Sequence, residues 1–151
     1  MNPVTFRKTS EPYGWLGNMS AYQVKHDAVI YRTAEALFQA LRFDDPAIRK
    51  EIQVEKSPMA AKWKAKKHSD KFTVEPKSHQ DLANMKYVLL QKTTQHPDIK
   101  RWLLETGERE IIEDTTARRD RFWGAANVGG QWVGENRLGK MWMEIRKDLR
   151  Q

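Results

Sequence analysis

The chain has 151 residues, a net charge of +7 and no cysteine, which excludes disulfides, thiolate metal ligands and cysteine nucleophiles. Apolar residues make up 39% of it without any run near 18 residues, and its first residues lack the apolar core of a secretory signal, so neither a membrane span nor export is expected. We therefore expect a cytoplasmic globular protein of one domain, whose positive charge favours nucleic acid, nucleotides or phosphorylated metabolites as partners.

The first half of the chain begins with turn-forming and alternating residues and continues with helical spacing. Residues 1–30 are predicted to be irregular or β-like, with a short hairpin over 22–31. Apolar periodicity, serine and threonine caps and prolines suited to a first helical turn then predict three helices. These cover 33–43, 45–54 and 57–68.

The second half shows three further helical patterns. They run from Ser78 or Asp81 through Lys92, from Pro97 to Gly107, and from Asn136 to Leu149. Residues 110–114 are predicted to form a strand, and 124–134 a glycine-rich loop with 131–133 extended. The whole pattern predicts a mostly α fold with a small β element, in a single domain over 1–151.

The helix over 33–43 carries the most informative polar pattern. Helical spacing places Glu35, Phe38, Gln39 and Arg42 on one stripe. A carboxylate, an amide, a guanidinium and an aromatic ring on one ridge suit a sugar or phosphate ligand. Alternatively, the acid lies in the first turn because the helix dipole favours it there, by about 0.3–1 kcal/mol.

Other residue types leave alternatives open. Of the six tryptophans, one or two can form a stacking platform for a base while the others pack in the core. The lysines between 62 and 71 are typical of a solvated helix face or of a track for the DNA backbone. The histidines and paired carboxylates lack metal-ligand spacing, and no glycine-rich phosphate loop is present, so no metal or cofactor is expected.

Seven segments spread over nearly the whole chain form a further pattern. They are Pro12–Asn18, Glu35-x-x-Phe38-Gln39-Ala40, Ser57–Ala61, Leu104–Gly107, Ile112-Glu113, Phe122–Gly124 and Gly134-x-Asn136-x-Leu138-Gly139-Lys140-x-x-Met143-x-x-Arg146. Each alone is weak, but in this order and spacing the set resembles the NADAR (YbiA-like) domain family.

The resemblance implies N-glycoside hydrolysis by a compact orthogonal helical domain with a small sheet. One branch of the family acts on a phosphorylated ribosylamino-pyrimidine intermediate of riboflavin synthesis. Another removes ADP-ribose from guanine, including guanine in DNA, and serves as antitoxin to a DNA ADP-ribosyltransferase. This chain has Gly17-Asn18-Met19 where the family often has Ser-Asn-Phe, and Arg42 where many members have lysine. These differences favour the ADP-ribosyl branch.

By this resemblance Glu35 is the candidate catalytic residue, with Gln39 as a substrate-binding neighbour. Cleavage of a ribosyl C1′–N bond passes through an oxocarbenium-like state at C1′. A carboxylate can stabilise this cation, attack it as a nucleophile, or deprotonate the water that attacks it. In a second route the ribose ring opens and a lysine amine forms an imine at C1. Lys8 is the candidate for that route, and alternatively a solvated surface lysine. Arg42 stays protonated, so it is expected to pair with Glu35 or hold a phosphate.

The remaining candidates are predicted to bind substrate. Gly17 and Asn18 are adjacent candidates, and the side-chain amide of Asn18 is expected to donate to ribose hydroxyls or to close a turn. Trp123 is expected to stack on the base or ribose, or to anchor its loop, and Gly124 permits close backbone approach. Asn136 and Gly139 lie at the start of the last helix, where free backbone N–H groups can bind an anion. Alternatively, Asn136 caps the helix and Gly139 permits close packing.

We therefore predict an N-glycosidase that removes ADP-ribose from guanine in nucleotides or DNA. Single-stranded DNA is expected to bind through the basic face, because an enclosed pocket cannot reach a stacked base. A DNA ADP-ribosyltransferase toxin encoded nearby is a further expected partner, and no membrane partner is expected. The alternatives are hydrolysis of the riboflavin intermediate and a non-catalytic ADP-ribose or nucleic-acid binding module.

Overall fold

A computed structural model describes the whole chain, residues 1–151. Its residues group into two compact units, which we call the terminal unit (Met1–Gly17 and Asp98–Gln151) and the helical unit (Asn18–Pro97). The chain forms six α-helices and six three-residue strands. With the two short 3₁₀ turns, Gly14–Leu16 and Ser69–Lys71, 46% of its residues are helical, which confirms the mostly α class. The single domain over 1–151 stays a prediction. No helix is both long and apolar enough to cross a membrane.

The helical unit contains one β-hairpin and four helices. The strands β2 (Val24–His26) and β3 (Val29–Tyr31) pair antiparallel, as predicted, across a turn in which Asp27 and Ala28 both have positive φ. Such a two-residue turn matches the twist of the strands it joins. The helices are α1 (Ala34–Ala40), α2 (Pro46–Gln53), α3 (Pro58–Lys67) and α4 (His79–Gln95).

Each of these four helices begins at a side chain that accepts a backbone N–H, which satisfies one of the donors left open at a helix start. The capping residues are Thr33, Asp45, Ser57 and Ser78. Helix α1 packs against the other three and against the hairpin, so all seven of its residues are buried. It ends at Ala40, three residues before the predicted end at Phe43. The packing therefore forces the polar side chains of α1 into the interior.

The terminal unit is built on a parallel pair of strands. β1 (Val4–Phe6) pairs with β4 (Ile111–Glu113), with Val4 opposite Ile111. The predicted loop over 124–134 proved wrong in part, because β5 (Ala126–Val128) and β6 (Gln131–Val133) form a hairpin there. Its turn residues are Gly129 and Gly130, both at positive φ. Their lack of a β-carbon permits the two-residue turn that the loop prediction overlooked.

Two helices complete the terminal unit, α5 (Pro97–Glu105) and α6 (Arg137–Leu149). α6 packs on β4, and its Trp142 is fully buried, with the indole Nε1 donating to the Leu16 carbonyl at 3.0 Å. Arg146 is also buried and donates to Thr106 Oγ1 at 2.8 Å. The buried side of this helix thus includes a guanidinium, and the hydrogen bond to Thr106 satisfies one of its N–H groups.

Candidate functional site

Glu35 lies in the first turn of α1 with 9% of its surface exposed. Its Oε1 accepts a hydrogen bond from Gln39 Nε2 at 2.9 Å, one helical turn further on. Its backbone N–H donates to the Asn18 carbonyl at 3.0 Å. The predicted pair Glu35 and Gln39 is therefore in contact, and the backbone of Asn18 is fixed beside them.

Asn18 has a buried side chain, 8% exposed, whose hydrogen bonding is incomplete. Its Nδ2 lies 3.1 Å from the Met85 thioether, a weak acceptor, and its buried Oδ1 has no hydrogen-bond partner. Exchanging the two ends of the amide would still leave one end without a partner. Because buried polar groups are nearly always hydrogen-bonded, this amide suits a ligand that brings its own hydroxyl or amide.

Arg42 does not pair with Glu35, so that part of the prediction was wrong. Its guanidinium forms a two-point ion pair with the fully buried Asp81 and lies over the Phe38 ring, with the Cζ atom 4.7 Å from the ring centroid. Its Nη1 donates to Gln39 Oε1 at 3.3 Å. The carboxylate of Asp81 takes the guanidinium because it presents both oxygens to the fork.

The resulting chain of contacts runs from Asp81 through Arg42 and Gln39 to Glu35. Arg42 orients the Gln39 amide so that its NH₂ group faces Glu35, while Asp81 compensates the positive charge. Glu35 is therefore a buried carboxylate that no cation pairs with and that a neutral amide holds in place. A negative charge in this state gains most from a ligand that carries or develops positive charge.

Asp81 was not predicted to belong to this cluster, because its position in the sequence indicates a different place. It stands three residues after the Ser78 cap, where its own N–H donates to Ser78 Oγ at 3.3 Å and its Oδ2 accepts from the Lys77 N–H at 2.8 Å. A carboxylate at this position of a capped helix is expected on the surface. Its burial depends on Arg42, which is 39 residues earlier in the chain.

Lys92 is a second buried charged group that the sequence did not single out. It is fully buried on α4, where Nζ donates to Ser20 Oγ at 3.0 Å and lies 5.3 Å from the centroid of the Tyr22 ring. Burial lowers the pKa of the Lys92 amine to about 7. The sequence signal for this burial is that Lys92 lies on the same helical stripe as Met85, Val88 and Leu89, which are apolar.

In the terminal unit, Trp123 and Gly124 lie at the start of the segment that leads to β5. Phe122 and Trp123 pack edge to face at 4.9 Å, and the carboxylate of Asp120 accepts both of their backbone N–H groups at 2.9 Å. A β-carbon on Gly124 would overlap the Glu113 carbonyl and the Thr115 side chain. Gly124 therefore permits close packing within the chain, and Asp120, which the sequence analysis missed, positions Trp123.

Asn136 and Gly139 do not form the predicted anion site. The amide of Asn136 is used in full, because Oδ1 accepts from the Glu113 N–H and Nδ2 donates to the Ile111 carbonyl. The next N–H groups, of Arg137 and Leu138, donate to the carbonyls of residues 122 and 123. A β-carbon on Gly139 would overlap the Ile111 carbonyl oxygen. Gly139 therefore packs closely, as the alternative stated, whereas Asn136 stands at the N-cap position of α6 without a side-chain cap hydrogen bond.

Lys8 and Gly17 lie in the terminal unit, before and after the short helical turn Gly14–Leu16. Lys8 is exposed, and its backbone N–H donates to Glu11 Oε1 at 3.0 Å. Gly17 has a φ of −76°, which any residue adopts, and its N–H donates to the Gly14 carbonyl. The catalytic role of Lys8 and the binding role of Gly17 stay predictions.

A cleft of about 290 Å³ opens in the terminal unit. Its walls are Tyr13, Trp15, Trp102, Glu105 and Thr106. Trp15 and Trp102 lie 5.7 Å apart between ring centroids, and Arg109 Nη1 donates to the Tyr13 hydroxyl at 3.1 Å. Neighbouring aromatic rings of this cleft are therefore in contact with one another.

Comparison with known proteins finds relatives that are named N-glycosidases. It is 34% identical to the N-glycosidase YbiA of Escherichia coli over 146 residues, which cover 97% of this chain and 88% of that protein. It superposes on the NMR structure of E. coli YbiA with a TM-score of 0.82 at 32% identity, covering 99% of this chain and 87% of the other. A riboflavin biosynthesis protein of Vibrio vulnificus is 24% identical over 99% of this chain and 39% of its own length.

The model of the NADAR domain family matches residues 5–150, nearly the whole sequence. The spacing of the seven segments, the helical fold and these similarities agree with one another. The chain belongs to the NADAR domain family.

Proposed function

We propose that this protein is an N-glycosidase that releases ADP-ribose from guanine, in nucleotides or in DNA. The observation that carries the proposal is the pair formed by Glu35 and Asn18: a buried carboxylate without a cation, fixed by a backbone hydrogen bond beside a buried amide with one unused end. A ribosyl group supplies what each residue lacks, because its hydroxyls hydrogen-bond an amide and its C1′ becomes cationic during cleavage.

The proposed reaction replaces guanine by water at C1′. The C1′–N bond breaks and its electron pair leaves with the guanine nitrogen, while the Glu35 carboxylate stabilises the ribosyl cation. A water oxygen then bonds to C1′, and its proton passes to the carboxylate before it returns to solvent or to the leaving base. The reaction consumes one water and forms ADP-ribose and guanine, and it needs no cofactor.

Gln39 and Arg42 support this reaction indirectly. The Gln39 amide holds one oxygen of Glu35, and Arg42 holds Gln39. Since Asp81 compensates the Arg42 charge, Glu35 retains its own charge for the reacting carbon. We therefore assign Gln39 and Arg42 as positioning residues, and we retain the binding role of Trp123 as a proposal.

The choice of substrate rests on the sequence differences at Gly17-Asn18-Met19 and Arg42 and on the net charge of +7, which suits the pyrophosphate of ADP-ribose. The names of the relatives support N-glycosidase activity in general. The similarity to a riboflavin biosynthesis protein favours a second candidate, hydrolysis of a phosphorylated ribosylamino-pyrimidine.

Hydrolysis assays on three substrates test the proposal. The protein is incubated with single-stranded DNA that carries ADP-ribosylated guanine, with the ADP-ribosylated nucleotide, and with the ribosylamino-pyrimidine phosphate, and the released sugar is followed by chromatography. We expect release of ADP-ribose from the first two. Release from the pyrimidine alone would establish the second candidate, and tight binding of ADP-ribose without release from any substrate would indicate a binding module.

A further inference from the structure

The outward side of helix α3 presents a tryptophan among lysines. We define the α3 face as Met59, Lys62, Trp63, Lys66 and Lys67, all of which are exposed. Trp63 is 66% exposed. Residues three and four apart on a helix are neighbours, so Met59, Lys66 and Lys67 all adjoin the indole. The opposite side of the helix is buried through Ala61 and Ala65.

The positive charge of this face is not compensated. Two acids of the neighbouring segment already have partners, because Lys64 Nζ lies 3.5 Å from Glu55 Oε1 and His68 Nε2 lies 2.8 Å from Glu51 Oε2. Helix α3 itself contains no acid. The ion pairs of this region involve Lys64 and His68 and not Lys62, Lys66 or Lys67, so the α3 face carries three uncompensated lysines together with the exposed indole.

Helix stability accounts for only part of this arrangement. The helix dipole favours cations in the last turn, which explains Lys66 and Lys67. It does not explain Lys62, which repels Lys66 at i,i+4. It also does not explain Trp63, because an indole that is 66% exposed gains little from burial in the folded chain. An exposed indole on a helix face with three uncompensated lysines has the composition of a surface that stacks a base and neutralises phosphates.

We propose that the α3 face binds a single strand of nucleic acid, with one base stacked on the Trp63 indole and the neighbouring phosphates near Lys62, Lys66 and Lys67. Charge complementarity selects this occupant, since a strand offers an anion and an aromatic base at each nucleotide. A lipid surface fits less well, because the apolar part of the face is limited to Trp63 and Met59. The inference goes beyond the proposed function, since strand binding can be present without hydrolysis.

Fluorescence anisotropy with a labelled 12-nucleotide oligo-dT and with an abasic strand of equal length tests the inference. We expect Trp63→Ala to weaken binding of oligo-dT by about 10-fold or more and binding of the abasic strand little, while Trp63→Phe keeps most of the affinity. The triple variant Lys62→Gln/Lys66→Gln/Lys67→Gln is expected to reduce the slope of log K against log salt by about 2.

The matched control is Lys25→Gln/Lys100→Gln/Lys147→Gln, which removes the same charge from exposed positions on three other elements. Circular dichroism and thermal unfolding verify that every variant is folded. The inference is overturned if Trp63→Ala binds oligo-dT like the parent protein, or if the two triple variants have equal salt slopes. It is also overturned if Trp63→Ala weakens binding of the protein to vesicles of anionic phospholipid but does not weaken its binding to oligo-dT. Release of ADP-ribose from the nucleotide substrate by the parent protein is measured in parallel. If the parent protein binds oligo-dT as expected but releases no ADP-ribose, only the proposed function is contradicted.

Discussion

Asp81 binds the guanidinium of Arg42 through two hydrogen bonds of 2.9 Å, from Nε to Oδ1 and from Nη2 to Oδ2. The pair joins α4 to the residue that follows α1, and both side chains are largely buried. It determines the electrostatics of the candidate site, because a guanidinium occupied by Asp81 does not neutralise Glu35.

The first prediction concerns this ion pair. Asp81→Asn leaves the buried Arg42 charge without compensation, so we expect the free energy of unfolding to fall by about 3–5 kcal/mol. The double variant Arg42→Leu/Asp81→Leu removes both charges and is expected to lose less than Asp81→Asn. Urea unfolding of the single and double variants measures this. Equal or larger losses in the double variant would show that packing, and not the unpaired charge, determines the effect.

Glu35→Gln is the second prediction. The amide oxygen still accepts from Gln39 Nε2, but it carries no charge to stabilise a ribosyl cation or to accept a proton. We expect hydrolysis to slow by about 100-fold or more, with the unfolding midpoint unchanged or raised because a buried charge is removed. Rates of ADP-ribose release and thermal unfolding are measured on the same preparations. The exposed Glu75→Gln serves as the control, and a Glu35→Gln enzyme with the parent rate would exclude Glu35 from the reaction.

The third prediction separates binding from structure at Asn18. Since one end of its buried amide has no partner, Asn18→Ala is expected to change the free energy of unfolding by less than about 1 kcal/mol. Loss of a hydrogen bond to the ligand is expected to raise the KM or the Kd for ADP-ribose by about 10-fold. Calorimetric titration and urea unfolding give the two quantities. A destabilised variant with unchanged ligand affinity would assign Asn18 a purely structural role.

Local patterns in the sequence predicted the helices well. Caps and prolines fix where α2, α3 and α4 begin, and these signals depend only on residues within one turn. The end of α1 and the strand β5 were predicted less well. α1 stops at Ala40 inside a continuous apolar pattern, and β5 depends on pairing with β6 across Gly129 and Gly130.

The candidate site was predicted where it follows helical spacing and missed where it depends on distant residues. Glu35 and Gln39 are one turn apart, so the spacing predicted that they share a face, on which the structure shows their hydrogen bond. Asp81 reaches Arg42 only after the chain has folded, so Arg42 was given the wrong partner. For Asn136 an anion site and a helix cap were stated, but its side chain does neither, because it binds the backbone of Glu113 and of Ile111, 25 residues away.

The fourth prediction tests the packing at Gly139. Because a β-carbon there would overlap the Ile111 carbonyl, Gly139→Ala is expected to destabilise the protein by about 1–3 kcal/mol through forced displacement of the backbone. Gly107→Ala is the comparison, since Gly107 has a φ of +66° but no atom within 4 Å of an added β-carbon. For Gly107→Ala we expect the free energy of unfolding to fall by only about 1 kcal/mol, the conformational cost of a side chain at positive φ. A smaller loss for Gly139→Ala than for Gly107→Ala in urea unfolding would contradict close packing.

The last prediction concerns pH and Lys92. Burial lowers the pKa of its amine from 10.5 to about 7, so the folded chain holds this proton less tightly than the unfolded chain. Below about pH 7 both states are protonated and folding bears the full cost of burying the charge. Between about pH 7 and 10.5 only the unfolded state holds the proton, so this group makes stability rise with pH, by up to about 1.4 kcal/mol per unit.

Lys92→Met removes the titrating group at the same position. We expect the variant to be more stable than the parent protein near pH 6, and this advantage to shrink steadily from pH 7 to pH 10, because the parent gains stability as its buried amine becomes neutral. Urea unfolding of both proteins at pH 6, 7.5, 9 and 10 measures the difference. The exposed Lys100→Met is the control and is expected to show no such trend. A difference between Lys92→Met and the parent that does not change with pH would mean that the Lys92 amine remains charged in the folded protein, held by Ser20 Oγ and the Tyr22 ring.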